Sequence, residues 1–468
     1  MSAAQLAKVS IENPSKPNIG IARVNIDNEL RLQKTSVNTS TINAIKSALT
    51  LRNPAYDSAI QHGRMAWRIP EVLQFFEETE DALIVPRGFG PELSRLLGTG
   101  VEWTDSRRVL PEISLTFAGI LRDYQDEAVQ RVLKNSQGVL EASTGAGKTV
   151  MALSLIAARR QPTLILVHNV ELLRQWQERI QQFLGIEAGQ IGASKCDVKP
   201  VTLGIVNSVR TRLAELTPHF GHVVVDECHR CPSSMFTECV KAFDARFLLG
   251  LSATPYRRDG LTKAIGFFIG PVLHRVDPGR LRDIGAVLRP EIVARETAFD
   301  FNGDASDQYQ AMLTALVEDQ ARNEQIAVDV LDEVARGTGT ALVVSDRVAH
   351  LEALSACLSQ RGENMVLLTG ATPKKQREAI VERLARGDVS VLGSTVQLIG
   401  EGFDAPGLSS LFLATPIKFS GRVLQVVGRI LRPKDGKTPR IYDYQDNHVG
   451  VLNASAKARQ RVFGGLTQ

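Results

Sequence analysis

Short β-branched runs alternate with helical stretches over most of the chain. One series reads Gly138–Glu141, Thr163–Val167, Val201–Val206, His222–Asp226 and Phe247–Leu251. A second reads Thr340–Ser345, Met365–Leu368, Val389–Gly393, Ser410–Ala414 and Arg440–Tyr444. Apolar strands of this kind, spaced by helices, predict βαβ units around parallel sheets buried on both faces. Between the series the stretch Pro271–Ala335 is mixed, with a helix expected around Gln308–Val334. Ahead of both, residues 1–18 are polar, contain Pro14 and Pro17, and predict a loose tail. Ile21, Val24, Ile26, Leu30 and Leu32 suggest extended chain, and Thr39 opens a helix with Ile42, Ile45 and Leu49 on one stripe. A strand over Ala82–Val85 and a helix from Pro91 complete a small unit. The expected fold class is α/β: two tandem doubly wound parallel-sheet domains behind a small N-terminal α/β accessory domain. The expected boundaries are 1–18, 19–112, 113–272 and 273–468.

Composition narrows the field. The 43% hydrophobic fraction over 468 residues is that of globular protein, and excludes wholesale disorder. Net charge is only +4, so a surface for a polyanion must be local. The longest apolar runs are far too short to span a bilayer, and MSAAQLAKVS lacks the pattern of a signal peptide. The five cysteines form no closely spaced framework, which fits a reducing cytoplasm. Cys228-His-Arg-Cys231 does present a C-x-x-C with Cys239 nearby. A zinc or redox site there competes with the motif that already claims Cys228 and His229.

Ala142-Ser143-Thr144-Gly145-Ala146-Gly147-Lys148-Thr149 follows a strand and precedes an apolar helix. That is the setting of a phosphate-binding loop: backbone N–H groups wrap phosphates, Lys148 reaches the β- and γ-phosphates, and Thr149 holds Mg²⁺. Ala142 stands where the general pattern has a glycine. Further on, Val223-Val-Val-Asp226-Glu227 delivers two adjacent carboxylates at the carboxyl end of a strand, where open α/β sheets bind ligands. Asp226 suits Mg²⁺ and Glu227 suits activation of water; the plainer reading is an acidic pair capping the next helix. His229 would then link this site to the Ser252-Ala-Thr254 loop. Much later, Gln425-Val-Val-Gly-Arg429-Ile-Leu-Arg432 sets two arginines three apart, on one face of a helix, where they can neutralise charge on a transferring phosphoryl group.

Taken in order, these stretches resemble the superfamily 2 helicases and translocases over most of 120–463. The resemblance implies two RecA-like domains and ATP with Mg²⁺ as cofactors. In Leu121-Arg122-Asp-Tyr-Gln125 it implies an adenine-recognition element, with Arg122 and Gln125 beside the base. Asp226–His229 corresponds to the family's motif II and Ser252–Thr254 to motif III; Gly400-Glu-Gly402-Phe-Asp404 corresponds to motif V. Gly402 and Asp404 would sit at the interface of the lobes and Arg429 and Arg432 at the γ-phosphate, with Gln425 counted among the catalytic residues. His168 and Asn169, with Asn207 and Ser208, would contact the nucleic-acid strand from the first domain, Thr369 and Thr395 from the second. Turn chemistry is the alternative for the first-domain loops.

Within the superfamily, the stretches 252–260 and 400–406 look most like the XPB, phage UvsW and restriction-motor branch of DNA translocases. That resemblance implies duplex, branched or single-stranded DNA as partner, with unwinding, annealing or branch migration in repair, recombination or replication. Alternatives are the motor subunit of a nuclease, restriction or phage-defence assembly, an RNA helicase, or an ATP-gated clamp. A cytoplasmic or nucleoid location is expected. Trp67 and Trp103, with Arg64, Arg68, Arg107 and Arg108 close in sequence, either stack on DNA or serve as core.

Overall fold

The computed structural model describes residues 21–467 apart from 62, 64, 231–233, 254–260, 401–406, 418–420 and 435. At 234, 374, 400, 421–425 and 467 only the backbone is described. The expected tail at 1–18 lies outside the described residues. The chain divides into two compact units, Met1–Arg107 and Arg108–Gln468.

The first unit is a five-stranded mixed sheet, ordered Glu77–Glu78, Ala82–Pro86, Glu29–Gln33, Ala22–Ile26, Val101–Asp105. The helices Thr39–Ala48 and Gly90–Leu97 cover it with Ile42, Ile45 and Leu93. Leu30, Leu32 and Leu83 come up from the sheet to meet them, all fully buried. A two-stranded annex, Thr50–Arg52 with Val72–Gln74, encloses the helix Pro54–Gln61.

The second unit begins earlier than the sequence boundary at 112. Arg108 is already tied to Asp244 by two hydrogen bonds of 2.9 Å, which draws residues 108–112 into it. Its first sheet has eight strands, ordered Lys195–Asp197, Gly189–Gly192, Val201–Ile205, Thr163–Val167, His222–Val225, Phe247–Ser252, Gln137–Glu141, Val272–Arg275. All pair in parallel except the Lys195–Asp197 edge. The apolar runs TLILV and HVVV lie at its centre, buried at every position. That is what a parallel sheet covered on both faces demands. The strand Val272–Arg275 pairs with Gln137–Glu141, so this sheet runs past the boundary expected at 272.

The second sheet has six strands, all parallel, ordered Glu291–Glu296, Arg440–Gln445, Leu408–Leu413, Thr340–Ser345, Val391–Thr395, Met365–Leu368. The helix expected around Gln308–Val334 is two helices, Tyr309–Glu318 and Gln320–Ala335. Asp319 breaks it: its backbone is extended and its carboxylate accepts from Arg322 N at 2.7 Å, an N-cap rather than a mid-helix residue. Among the described residues no helix is long and apolar enough to cross a membrane.

Candidate active site

Strand order assembles the site. Gln137–Glu141, Phe247–Ser252 and His222–Val225 are neighbours in the first sheet, so the loops at their carboxyl ends emerge side by side. Those loops are the Ala142–Thr149 stretch, Ser252, and the pair Asp226–Glu227. Ala142 N–H donates to Ser252 O at 3.0 Å, joining two of them directly.

The phosphate loop closes onto the helix Lys148–Arg159 through Gly145 at φ +89° and Gly147 at φ +81°, a left-handed backbone that glycine tolerates. A Cβ at Gly147 would also fall 2.4 Å from Gln125 Nε2, so that amide would have to shift from its place against the loop. Ala142 is buried in the apolar core of this lobe, which accounts for a methyl where the general pattern has glycine. Lys148 Nζ donates to Ala142 O at 2.9 Å, folded back over the loop. Ser143, Thr144 and Thr149 are half-buried along it. Gln125 is buried and donates through Nε2 to Ala146 O at 3.1 Å, while its Oε1 accepts from Arg122 N. Arg122 itself is exposed at the N-cap of the helix Asp123–Leu133.

Asp226 is buried with both oxygens held: Oδ2 accepts from Trp176 Nε1 and Oδ1 from Glu227 N, each at 2.9 Å. Burial, then the charge of Glu227, raises the Asp226 carboxyl above the usual range. Burial alone would raise Glu227 as well, but the His229 hydrogen bond and the Lys148 charge outweigh it and hold Glu227 low. The pair therefore divides into one carboxyl that resists ionisation and one that favours it. Glu227 sits at φ +50°, unusual for a residue with a Cβ and costly unless its surroundings enforce it. His229 Nδ1 stands 3.2 Å from Glu227 Oε2 and 3.3 Å from Ser252 Oγ. It bridges the carboxylates to the neighbouring strand's loop, whereas Thr254 lies outside the described residues. Cys228 packs against Gly250 in the core, and Cys231 is outside the described residues.

The second lobe contributes the helix Gly421–Ile430. A Cβ on Gly428 would come within 2.6 Å of Thr144 Cβ, so this helix lies directly on the phosphate loop. Arg429 is buried in its last turn, and Gln425 is described by backbone alone. The two arginines do not share a helical face: the helix ends at Ile430, and Arg432 lies in the turn beyond, half-buried. The reason is Pro433, which disfavours helical backbone at the residue before it. Lys437 Nζ donates to Arg432 O at 3.1 Å and braces that turn. Gly402 and Asp404 lie outside the described residues.

The residues expected at a nucleic-acid strand fall along carboxyl edges of neighbouring strands. His168 and Asn169 follow Thr163–Val167, and Asn207 and Ser208 follow its neighbour Val201–Ile205. Asn169 Oδ1 caps the helix Val170–Leu184 by accepting from Leu172 N at 2.8 Å. Asn207 and Ser208 belong to the short helix Val206–Arg210 rather than to a loop, with Asn207 exposed. In the second sheet Thr369 follows Met365–Leu368 and Thr395 ends its neighbour Val391–Thr395. Thr369 is buried in a turn with Thr372; Thr395 is half-buried.

Three further contributors escape motif reasoning. Tyr124 donates its hydroxyl to Ala146 O at 3.1 Å, beside Gln125. Trp176 orients Asp226, yet in sequence it is one more member of the apolar stripe Leu173, Trp176, Ile180. Lys437 looks like an ordinary surface lysine. Tyr124 alone was within reach, being next to Gln125.

Residues 119–257 match the family described as type III restriction enzyme, res subunit, and residues 325–434 match the helicase conserved C-terminal domain. A protein of Sulfurisphaera tokodaii named DNA 3'-5' translocase XPB2 is 27% identical over 353 residues, covering 67% of this chain and 79% of that protein. Probable helicase D10 of Escherichia phage T5 is 26% identical over 300 residues, covering 64% of this chain and 65% of its own length. Among solved structures, a putative HsdR subunit fragment of a type I restriction enzyme from Vibrio vulnificus shares the fold. Its TM-score is 0.56 at 21% identity, over 74% of this chain and 66% of that one. With tandem RecA-like domains that match these two families, the chain belongs to the superfamily 2 helicases, enzymes that hydrolyse ATP.

Proposed function

We propose that this protein is an ATP-dependent DNA translocase or helicase acting on duplex or branched DNA. The observation that carries the reading is the seat of Gly428 on Thr144, which brings the second lobe's arginine-bearing helix onto the first lobe's phosphate loop. The names of the relatives, a DNA 3'-5' translocase among them, support DNA as the track. Lys148 and the loop N–H groups bind the phosphates, and Gln125 closes the loop from the adenine side. Thr149 and Asp226 are oxygen donors suited to Mg²⁺, which when bound would neutralise charge between the β- and γ-phosphates. Glu227, ionised and oriented by His229, takes the proton of the attacking water. Arg429 and Arg432 neutralise charge developing on the γ-phosphoryl group. Once that group leaves, their hold across the lobes weakens and the lobes part. Alternate gripping of a strand at the edges carrying Asn169, Asn207, Thr369 and Thr395 turns opening and closing into steps.

The test compares ATP hydrolysis with duplex DNA, single-stranded DNA and RNA. Stimulation by DNA, abolished in Arg432→Ala, is the expected result. No stimulation by any DNA, or unchanged stimulation in Arg432→Ala, would sink the proposal. A second reading, the motor subunit of a nuclease assembly, draws support from the match of residues 119–257 to the restriction family. Co-purification with a nuclease distinguishes it from an autonomous motor.

A further inference from the structure

The N-terminal unit leaves in solvent an aromatic side chain that so small a domain would ordinarily use as core. Trp67 is 73% exposed and Met65 is 86% exposed, on the segment between the helix Pro54–Gln61 and the strand Val72–Gln74. Leucines and isoleucines from the sheet and its two covering helices fill the interior instead. The Arg68 guanidinium lies over the indole, 4.2 Å from the ring centroid. Asp57 and Glu71, the acidic residues that flank this segment in sequence, both pair with Arg52. Among the described residues Arg68 has no carboxylate partner. From Gln61 to Pro70 the chain carries arginines and no acidic residue.

An exposed ring beside an uncompensated cation matches one ligand class especially well. Single-stranded nucleic acid offers unstacked π faces to the indole and phosphates to the guanidinium. Duplex DNA offers the phosphates but keeps its bases stacked. An apolar protein surface would cover Trp67 and Met65 while burying the Arg68 charge without a counter-ion, which is costly. We infer that Trp67 and Arg68 form a stacking platform for single-stranded nucleic acid, outside the ATP-binding lobes. The inference rests on the helicase reading for its ligand class, and places a strand contact on the accessory domain.

The full chain is titrated with a labelled oligothymidylate, read by fluorescence anisotropy, as wild type, Trp67→Ala, Trp67→Phe and Arg68→Gln. Trp67→Ala should weaken binding roughly tenfold or more, and Trp67→Phe should recover most of it. Arg68→Gln should reduce the slope of log affinity against log salt by about 0.7. Hydrolysis of ATP without nucleic acid should stay at the wild-type rate in all three, since neither residue belongs to the proposed ATP site. Wild-type affinity in both Trp67→Ala and Arg68→Gln overturns the platform and leaves the patch to a protein partner. An equal loss for blunt duplex DNA overturns its single-strand character. If the wild type shows no nucleic-acid-stimulated hydrolysis, the motor reading fails. Stimulated wild type with unaffected variants removes only the platform.

Discussion

Glu227 is the residue at which geometry and charge meet. Its left-handed backbone, the Asp226 oxygen on its N–H, and His229 at 3.2 Å fix one carboxylate that feels the charge of Lys148 on the phosphate loop. Removing its charge without its shape, as Glu227→Gln, should lower turnover by about 10²-fold or more while nucleotide still binds. Lys148→Ala should lose turnover to a similar degree and weaken nucleotide binding too. Retained hydrolysis in either variant would count against the assignment. Both residues were legible in sequence, because phosphate chemistry dictates their types and spacing. Lys437 was not. Burial, with the charges of Lys434 and Arg432, pushes its ammonium down to about 8. Below that value folded and unfolded chains are both protonated. Between it and the ordinary lysine value the unfolded chain binds the extra proton, so stability rises with pH across that window. Relative to Lys437→Met, the wild type should gain on the order of 2 kcal/mol between pH ~7.5 and ~10.5 in denaturant titrations. A flat difference would place the lysine in water.

The element that matters most for the proposed motion is the helix Gly421–Ile430, because Gly428, lacking a Cβ, lets it approach Thr144. Gly428→Ala should push the helix off the loop and lower ATP turnover tenfold or more, since a displacement near 1 Å can cost about 10²-fold. Nucleotide affinity, set by the first lobe, should change far less. Equal losses in both would show that the helix serves binding rather than turnover. The arginine-bearing motif placed this helix, and largely apolar runs such as TLILV and HVVV placed the strands. Its endpoints escaped that reading. Asp319 and Pro433 are single residues whose capping and steric effects interrupt an otherwise continuous pattern.

At the scale of the molecule, the second lobe carries an ion pair in its interior. Arg322 Nε meets Asp446 Oδ1 at 2.8 Å with both side chains 1% exposed, and Thr297 Oγ1 donates to the same carboxylate. Arg322→Ala strands a buried charge and should cost about 3–5 kcal/mol, read as a lowered calorimetric midpoint. Replacing both partners with apolar residues should cost much less, and equal losses would indicate that packing rather than charge is at stake. The sequence by itself determined the alternation of strands and helices, the phosphate loop, the carboxylate pair and the paired arginines, because local backbone geometry and phosphate chemistry leave few residue choices at those positions. Only the tertiary structure decided which strands are neighbours, that Trp176 orients Asp226, that Gly428 seats one lobe on the other, and that Trp67 faces water. Those facts depend on contacts between residues distant in the chain, and an apolar side chain reads the same in sequence whether it packs a core, holds a carboxylate or waits at a surface.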